Sequence, residues 1–193
     1  MQSTYTYPRF PYVAPAELQG GATRRHKVVI VGGGPVGLTA ALDCAARGIP
    51  AVLLDDNDTV SVGSRAVCYA KRPLEIWDRL GCGERMVAKG VSWNHGKVFF
   101  RDKLSYSFDL LPERHHKMPA MINLQQYYLE EYMVDQLARQ QLVALRWKHR
   151  VTALRQMPDH VALTVETPDG AFTMEAEWVI ACDGAGSTLR GMV

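Results

Sequence analysis

An α/β fold, with a parallel sheet of βαβ type and an antiparallel β-meander set into it, is what this sequence predicts. Three observations carry the prediction. Val28-Val29-Ile30-Val31 is a short β-branched run of the kind buried on both faces of a parallel sheet, and a glycine turn ends it. Leu38, Ala41, Leu42 and Ala45 then recur at helical spacing as far as Gly48, and residues 51–54 form a second apolar run closed by Asp55-Asp56. Near the other end, residues 161–167 alternate, Pro168-Asp169-Gly170 supplies a tight turn, and residues 172–174 pair back as a hairpin.

The other elements follow in chain order. Residues 1–25 place Tyr5, Tyr7, Phe10 and Tyr12 among Pro8, Pro11 and Pro15 and end near Gly20-Gly21, with no period of two or 3.6, which predicts an extended arm. Such an arm can clasp its own domain, pack on a second copy in a homodimer, or stay loosely ordered. Residues 72–80 carry Leu74, Trp77 and Leu80 on one helical face before Gly81. Residues 98–100 and 106–110 read as strands around a polar turn. Residues 124–140 hold the longest helical pattern, with Leu129, Met133 and Leu137 at four-residue steps. Strands at 142–147 and 151–156 lead to the hairpin, and residues 178–182 form a final buried strand ending at Asp183-Gly184.

Composition narrows the function classes. The chain has 193 residues, 47% apolar and 22% charged, which suits one packed core and excludes a disordered chain. Twenty-two Lys plus Arg against 20 Asp plus Glu leave a net charge of +2, too little to hold a nucleic acid without a local basic patch, and none is visible. Cys44, Cys68, Cys82 and Cys182 are scattered without a C-x-x-C pair, against a zinc knuckle or a stapled secreted scaffold. Arg24-Arg25 precedes an apolar stretch, but glycines and Asp43 interrupt it, so neither an export leader nor a membrane span is expected. The expected location is the cytoplasm. His115-His116 and His95 lack the carboxylate or cysteine spacing that completes a metal site, and no metal is expected.

The segment Gly32-Gly33-Gly34-Pro35-Val36-Gly37 contains G-x-G-x-x-G directly after a strand and opening a helix. Gly32 permits the tight turn, Gly34 lets backbone approach a pyrophosphate, and Gly37 lets the helix pack closely. The helix N-terminus then turns unpaired N–H groups and a partial positive charge toward the anion. Asp55 closes the second strand about 20 residues on, where a carboxylate can accept bonds from ribose hydroxyls. Together these make a Rossmann-like dinucleotide site. No basic residue directly follows Asp55, so the site is not built for a 2′-phosphate.

The glycine segment, Gly63-Ser64-Arg65-Ala66, and the run from Pro73 to Gly81 (Pro-Leu-Glu-Ile-Trp-Asp-Arg-Leu-Gly) together resemble the amino-terminal part of the flavoprotein aromatic hydroxylases. These are single-component FAD monooxygenases like para-hydroxybenzoate hydroxylase, phenol hydroxylase and, nearest in pattern, 3-(3-hydroxyphenyl)propionate hydroxylase. The resemblance runs from about Lys27 to the end of the chain. It implies that Arg65 reaches the FAD pyrophosphate with a planar fork of donors. It implies that Gln126, with Gln125 as rival one residue away, bonds the phosphate or ribityl region, and that the backbone of Val151 recognises adenine. Ala181-Cys182-Asp183-Gly184, followed by Ser187 and Arg190, resembles a second family fingerprint, in which Asp183 and Gly184 serve FAD and NAD(P)H binding. Asp183 also suits a helix N-cap, and Ser187 and Arg190 suit structural support. The cofactor-binding set is therefore Gly32, Gly34, Pro35, Val36, Gly37, Asp55, Arg65, Gln126, Val151, Asp183 and Gly184; no catalytic residue is assigned.

The resemblance further implies the chemistry: NADH or NADPH reduces bound FAD, and O2 is captured as a C4a-hydroperoxyflavin that hydroxylates a phenolic or other aromatic substrate. It assigns residues 26–193 to an incomplete FAD-binding domain, with 91–120 beginning a substrate-binding sheet. The family's third fingerprint, a Gly-Asp-Ala-type segment, does not occur before Val193. The chain is thus expected to be the front part of a longer enzyme, binding FAD weakly and hydroxylating nothing alone. A reductase or halogenase of the same fold, or a non-catalytic nucleotide-binding module, are the alternatives.

Overall fold

The computed structural model describes residues 5–19, 23–63, 65–113 and 115–193. These form two compact units, the first from residues up to Val62 together with Met133–Val193, the second Gly63–Tyr132. The chain runs through β1 (Arg25–Val31), α1 (Pro35–Ala46) and β2 (Ala51–Asp55). The second unit carries β3 (Cys68–Ala70), α2 (Lys71–Arg79), α3 (Gly83–Lys89), β4 (Val91–Trp93), β5 (His95–Phe100), β6 (Lys103–Asp109) and β7 (Met121–Asn123). Helix α4 (Gln126–Leu137) leads back, and β8 (Val143–Trp147), β9 (Arg150–Gln156), β10 (Val161–Thr167) and β11 (Gly170–Ala181) complete the first unit before a 3-10 turn at Leu189–Gly191.

The first unit is built on a six-stranded sheet in the order β8-β2-β1-β11-β10-β9. β1 pairs in parallel with β2 on one side and β11 on the other, which explains why its last four residues are all buried. α1 lays Leu38, Ala41 and Leu42 on β1 and β2, and ends where the sequence predicts, with the Gly48 N–H bonded to the Ala45 carbonyl. The opposite face holds a core of Val29, Val31, Leu54, Val165, Met174 and their neighbours.

Two predicted strands, 172–174 and 178–182, are one. β11 is a continuous 12-residue strand whose first half pairs antiparallel with β10 and whose second half pairs parallel with β1. Glu175-Ala176-Glu177 offers neither glycine nor proline to break it, so the meander β9-β10-β11 shares the parallel sheet. The end of β11 is also less buried than expected, Trp178 being 67% and Ile180 37% exposed.

The arm is ordered over residues 5–19 and belongs to the first unit. Phe10 stacks on Trp147 with ring centroids 4.5 Å apart, the Phe10 N–H donates to the Asp58 carbonyl at 2.8 Å, and Arg9 pairs with the Asp58 carboxylate. Tyr12 donates to Thr167 Oγ1 at 3.1 Å and lies against the buried His149. Glu17, its side chain only 3% exposed, meets Arg146 at 3.1 Å and His26 at 3.3 Å. The arm thus clasps its own unit. Asp58 is its anchor, with Lys148 at 2.9 Å and Arg9 holding the carboxyl below the usual range.

In the second unit β3, β7 and β4 make a small antiparallel sheet against which Lys71 opens α2, and α2 packs with α3. α3, β3, β4 and β7 had no sequence prediction. They are three to seven residues long, too short for either period to register. β5 and β6 form the predicted hairpin as a separate two-stranded sheet. Gly20-Gly21 and Ser64, which the sequence reading used, lie outside the described residues.

Candidate dinucleotide site

The carboxyl ends of β2, β1 and β11 bring three segments together in the first unit: Asp55, the turn 32–37, and Cys182-Asp183-Gly184. Gly32 has φ +106°, its N–H donates to the Leu54 carbonyl at 2.8 Å, and a Cβ there would lie 2.4 Å from the Cys182 carbonyl oxygen. Only glycine fits. At Gly37 a Cβ would lie 1.8 Å from the Gly32 carbonyl oxygen, so the first turn of α1 is pressed onto the glycine turn itself. Gly33 is fixed by a contact that the sequence does not announce: its N–H donates to Asp55 Oδ2 at 2.5 Å, and a Cβ there would lie 2.8 Å from that same oxygen.

Gly34 differs from all three. A Cβ on Gly34 would meet nothing within 4 Å, and its backbone is ordinary extended chain with φ −76°. It stands at the N-cap of α1 with no side chain capping the helix, Pro35 follows in the first turn, and Val36 is 68% exposed. The chain's own packing therefore explains three of the four glycines and leaves Gly34 to be explained by what approaches from outside. Uncapped N–H groups at a helix start, beside a surface with no side chain, suit the diphosphate of a dinucleotide.

The two acids flanking the turn have different surroundings. Asp55 accepts the Gly33 N–H on one oxygen and the Asn57 N–H on the other at 2.8 Å. Burial pushes its carboxyl up, and the two N–H groups pull it back without cancelling that push. Its first duty is to tie the end of β2 to the turn; each oxygen keeps a second acceptor site for a ribose hydroxyl. Asp183 accepts the Ser187 hydroxyl at 2.6 Å and the Leu189 N–H at 3.1 Å. Burial raises this carboxyl too, but the Ser187 hydroxyl and neighbouring backbone N–H groups outweigh it and hold it below the usual range. Arg190 donates to the carbonyls of Gly184 and Ala185 at 3.3 and 3.0 Å, so Ser187 and Arg190 brace the loop. Gly184, at φ +86°, turns the chain away from β11.

Val151 sits at the start of β9, an edge strand, with its side chain in the core opposite Val165. In the second unit Arg65 is exposed on the loop before β3. Gln126, the first residue of α4, has its Oε1 3.4 Å from the Ala66 N–H and its Nε2 2.7 Å from Glu130 Oε1. Gln126 thus also meets the Arg65 loop, through Ala66. Sequence reading missed Glu130 and Tyr69 in this loop's support; the four-residue step from Gln126 to Glu130 was the available signal.

The family model described as an FAD binding domain matches residues 25–193. The chain belongs to that family. Para-nitrophenol 4-monooxygenase of Pseudomonas sp. (strain WBC-3) is 32% identical over 84% of this chain and 41% of its own length. The 3-(3-hydroxy-phenyl)propionate/3-hydroxycinnamic acid hydroxylase of Mycolicibacterium smegmatis is 24% identical over 86% of this chain and 30% of its own. The crystal structure of p-nitrophenol 4-monooxygenase PnpA from Pseudomonas putida DLL-E4 superposes with a TM-score of 0.76 at 31% identity, over 88% of this chain and 44% of that one. The chain spans about two fifths of the length of the first of these relatives. As an FAD binding domain it resolves what the glycine turn leaves open, because that turn suits NAD and FAD alike. Among the described residues no helix is long and apolar enough to cross a membrane.

Proposed function

We propose that this chain is the FAD-binding part of a monooxygenase that uses NADH or NADPH and O2 to hydroxylate a phenolic or other aromatic substrate in the cytoplasm. The observation that carries the reading is the glycine turn in which only Gly34 has no internal reason to be glycine. The substrate class is supported by relatives named for a nitrophenol and a hydroxyphenylpropionate.

Bound FAD supplies the redox and oxygen chemistry. The chain's residues hold and orient it. The turn from Gly32 to Gly37, with Pro35 and Val36 opening α1, receives the diphosphate on backbone N–H groups. Asp55 fixes the turn through Gly33 and offers its remaining lone pairs to ribose. Arg65 presents two parallel donors to phosphate oxygens, and Gln126 holds the Arg65 loop. The backbone at Val151 borders adenine. Asp183 and Gly184 present the end of β11 to the cofactor, with the Asp183 charge stabilised in advance by Ser187. Residues 91–120, including the β5–β6 hairpin with Phe99, Phe100, Leu104 and Tyr106 more than half exposed, begin the substrate-binding sheet. The arm's aromatic residues from Tyr5 to Tyr12 give no support to a homodimer, since Phe10 and Tyr12 are engaged within the first unit.

Adding FAD to the chain and following flavin absorption and fluorescence tests the core of the proposal. A red-shifted, quenched flavin that NADH does not displace is expected. An unchanged flavin spectrum at saturating chain overturns the flavin reading, and a preference for NADH over FAD overturns the choice of cofactor.

A further inference from the structure

The second unit contains a buried acid to which the proposed function gives no part. Glu130 is 1% exposed and lies one turn after Gln126 on α4. Its Oε1 accepts a hydrogen bond from Gln126 Nε2 at 2.7 Å. A carboxylate only accepts, so this bond decides which end of the Gln126 amide faces inward. The NH2 faces Glu130, and the carbonyl oxygen is left facing the Ala66 N–H.

Ala66 is gripped on its other side as well. The Tyr69 hydroxyl donates to the Ala66 carbonyl at 3.1 Å. The Tyr69 ring is buried and set edge-on to Trp77, centroids 5.5 Å apart, which leaves the hydroxyl little choice of direction. Burial first, and the nearby Glu130 charge second, push this phenol up to about 12, so it stays a donor at any physiological pH. The next peptide is tied too, the Leu124 N–H donating to the Val67 carbonyl at 2.7 Å. The residue immediately before this clamp is the exposed Arg65.

We propose that Glu130 and Tyr69 are positioning residues that hold the two sides of Ala66 and so fix the backbone from which Arg65 reaches the dinucleotide diphosphate. This rests on the reading of Arg65 as a phosphate ligand. A guanidinium on a loop ordered beforehand binds without the entropy cost of ordering the loop on contact. Glu130 acts through Gln126, and Tyr69 acts directly on the carbonyl.

The test is a double-mutant cycle on FAD affinity, read by flavin fluorescence with the 193-residue chain, together with amide hydrogen exchange over residues 65–67. Glu130→Leu is expected to weaken FAD about tenfold and to speed exchange at Ala66, and Tyr69→Phe to weaken it about threefold. Glu130→Gln keeps an acceptor oxygen for Gln126 and is expected to stay within about twofold of the parent. In an Arg65→Ala background both losses should vanish, which a merely structural role would not produce. Parent-like affinity for Tyr69→Phe and a folded Glu130→Leu overturns the inference, as does a loss that persists undiminished without Arg65. If Glu130→Leu does not fold, the Tyr69→Phe cycle decides alone. Failure of the parent chain to bind FAD is a different result: it overturns the proposed function.

Discussion

The glycine turn of the first unit and the Arg65 loop of the second are held by opposite means. In the turn, conformation is enforced by missing side chains: Gly32 and Gly37 leave room for carbonyl oxygens that a methyl group would strike. In the loop it is enforced by side chains that are present, Gln126 and Tyr69 on the two faces of Ala66. A site made by absence tolerates almost no substitution and writes its spacing into the sequence. A site made by side-chain bonds has several chemical solutions and leaves no fixed spacing.

The largest effect should come from filling the turn. Gly37→Ala puts a Cβ 1.8 Å from the Gly32 carbonyl oxygen, a backbone atom that cannot swing aside. Alanine would ordinarily gain about 1 kcal/mol over glycine inside a helix. Here the clash is expected to override that gain and cost at least about 3 kcal/mol in urea unfolding. A variant as stable as the parent would show that the turn relaxes, and that it is held no more tightly than the loop.

Next come the two acids beside the turn, whose pH dependences should run in opposite directions. The folded Asp183 carboxyl is depressed, so its contribution to stability is present above its unfolded value and lost as pH falls through the folded one. The folded Asp55 carboxyl is raised, so its contribution is present below its unfolded value and lost as pH rises through the folded one. Each Asn variant loses an acceptor for one donor and should cost about 1–2 kcal/mol. The Asp183→Asn deficit should shrink on going from about pH 6.5 to about pH 3.5, and the Asp55→Asn deficit should grow. Denaturation at the two pH values checks this, and parallel slopes would mean that the two surroundings do not differ.

Legibility divides along the same line. The βαβ unit was readable to within a few residues because buried parallel strands are continuous apolar runs and Gly48 marks the helix end. The glycine turn and Asp55 were readable as a site, but the Asp55 bond to Gly33 was not, since it depends on how strand ends meet in space. In the second unit, Cys68–Ala70 and Met121–Asn123 pair across 50 intervening residues and are three residues long, so no local pattern announces them. Arg65 and Gln126 emerged only through resemblance. Glu130 was hidden as one acid among several on a helix, and its burial, which gives it meaning, is a property of the fold.

On the loop side, Arg65→Lys separates binding from stability. Arg65 is exposed, so unfolding should move by no more than about 0.5 kcal/mol. Lysine keeps the charge and loses the paired donors, and FAD affinity should fall about tenfold. An affinity equal to the parent's would remove Arg65 from the diphosphate contacts.

Gly34→Ala should have the smallest effect on stability and is the sharpest test of the turn. Two terms oppose each other. Alanine is a poorer N-cap than glycine by up to about 1 kcal/mol, while the unfolded chain loses about 0.4–1 kcal/mol of conformational freedom when glycine is replaced at a compatible φ. With φ at −76° and nothing within 4 Å, no strain or clash is added. The net change should lie within about 0.5 kcal/mol of zero. FAD affinity should nonetheless fall, because the new methyl occupies the surface on which the diphosphate would rest. Unchanged stability with weakened FAD binding would show that Gly34 is kept for a ligand while Gly32 and Gly37 are kept for the fold. Unchanged binding would return Gly34 to the chain's own packing and leave the turn with no position that only a ligand explains.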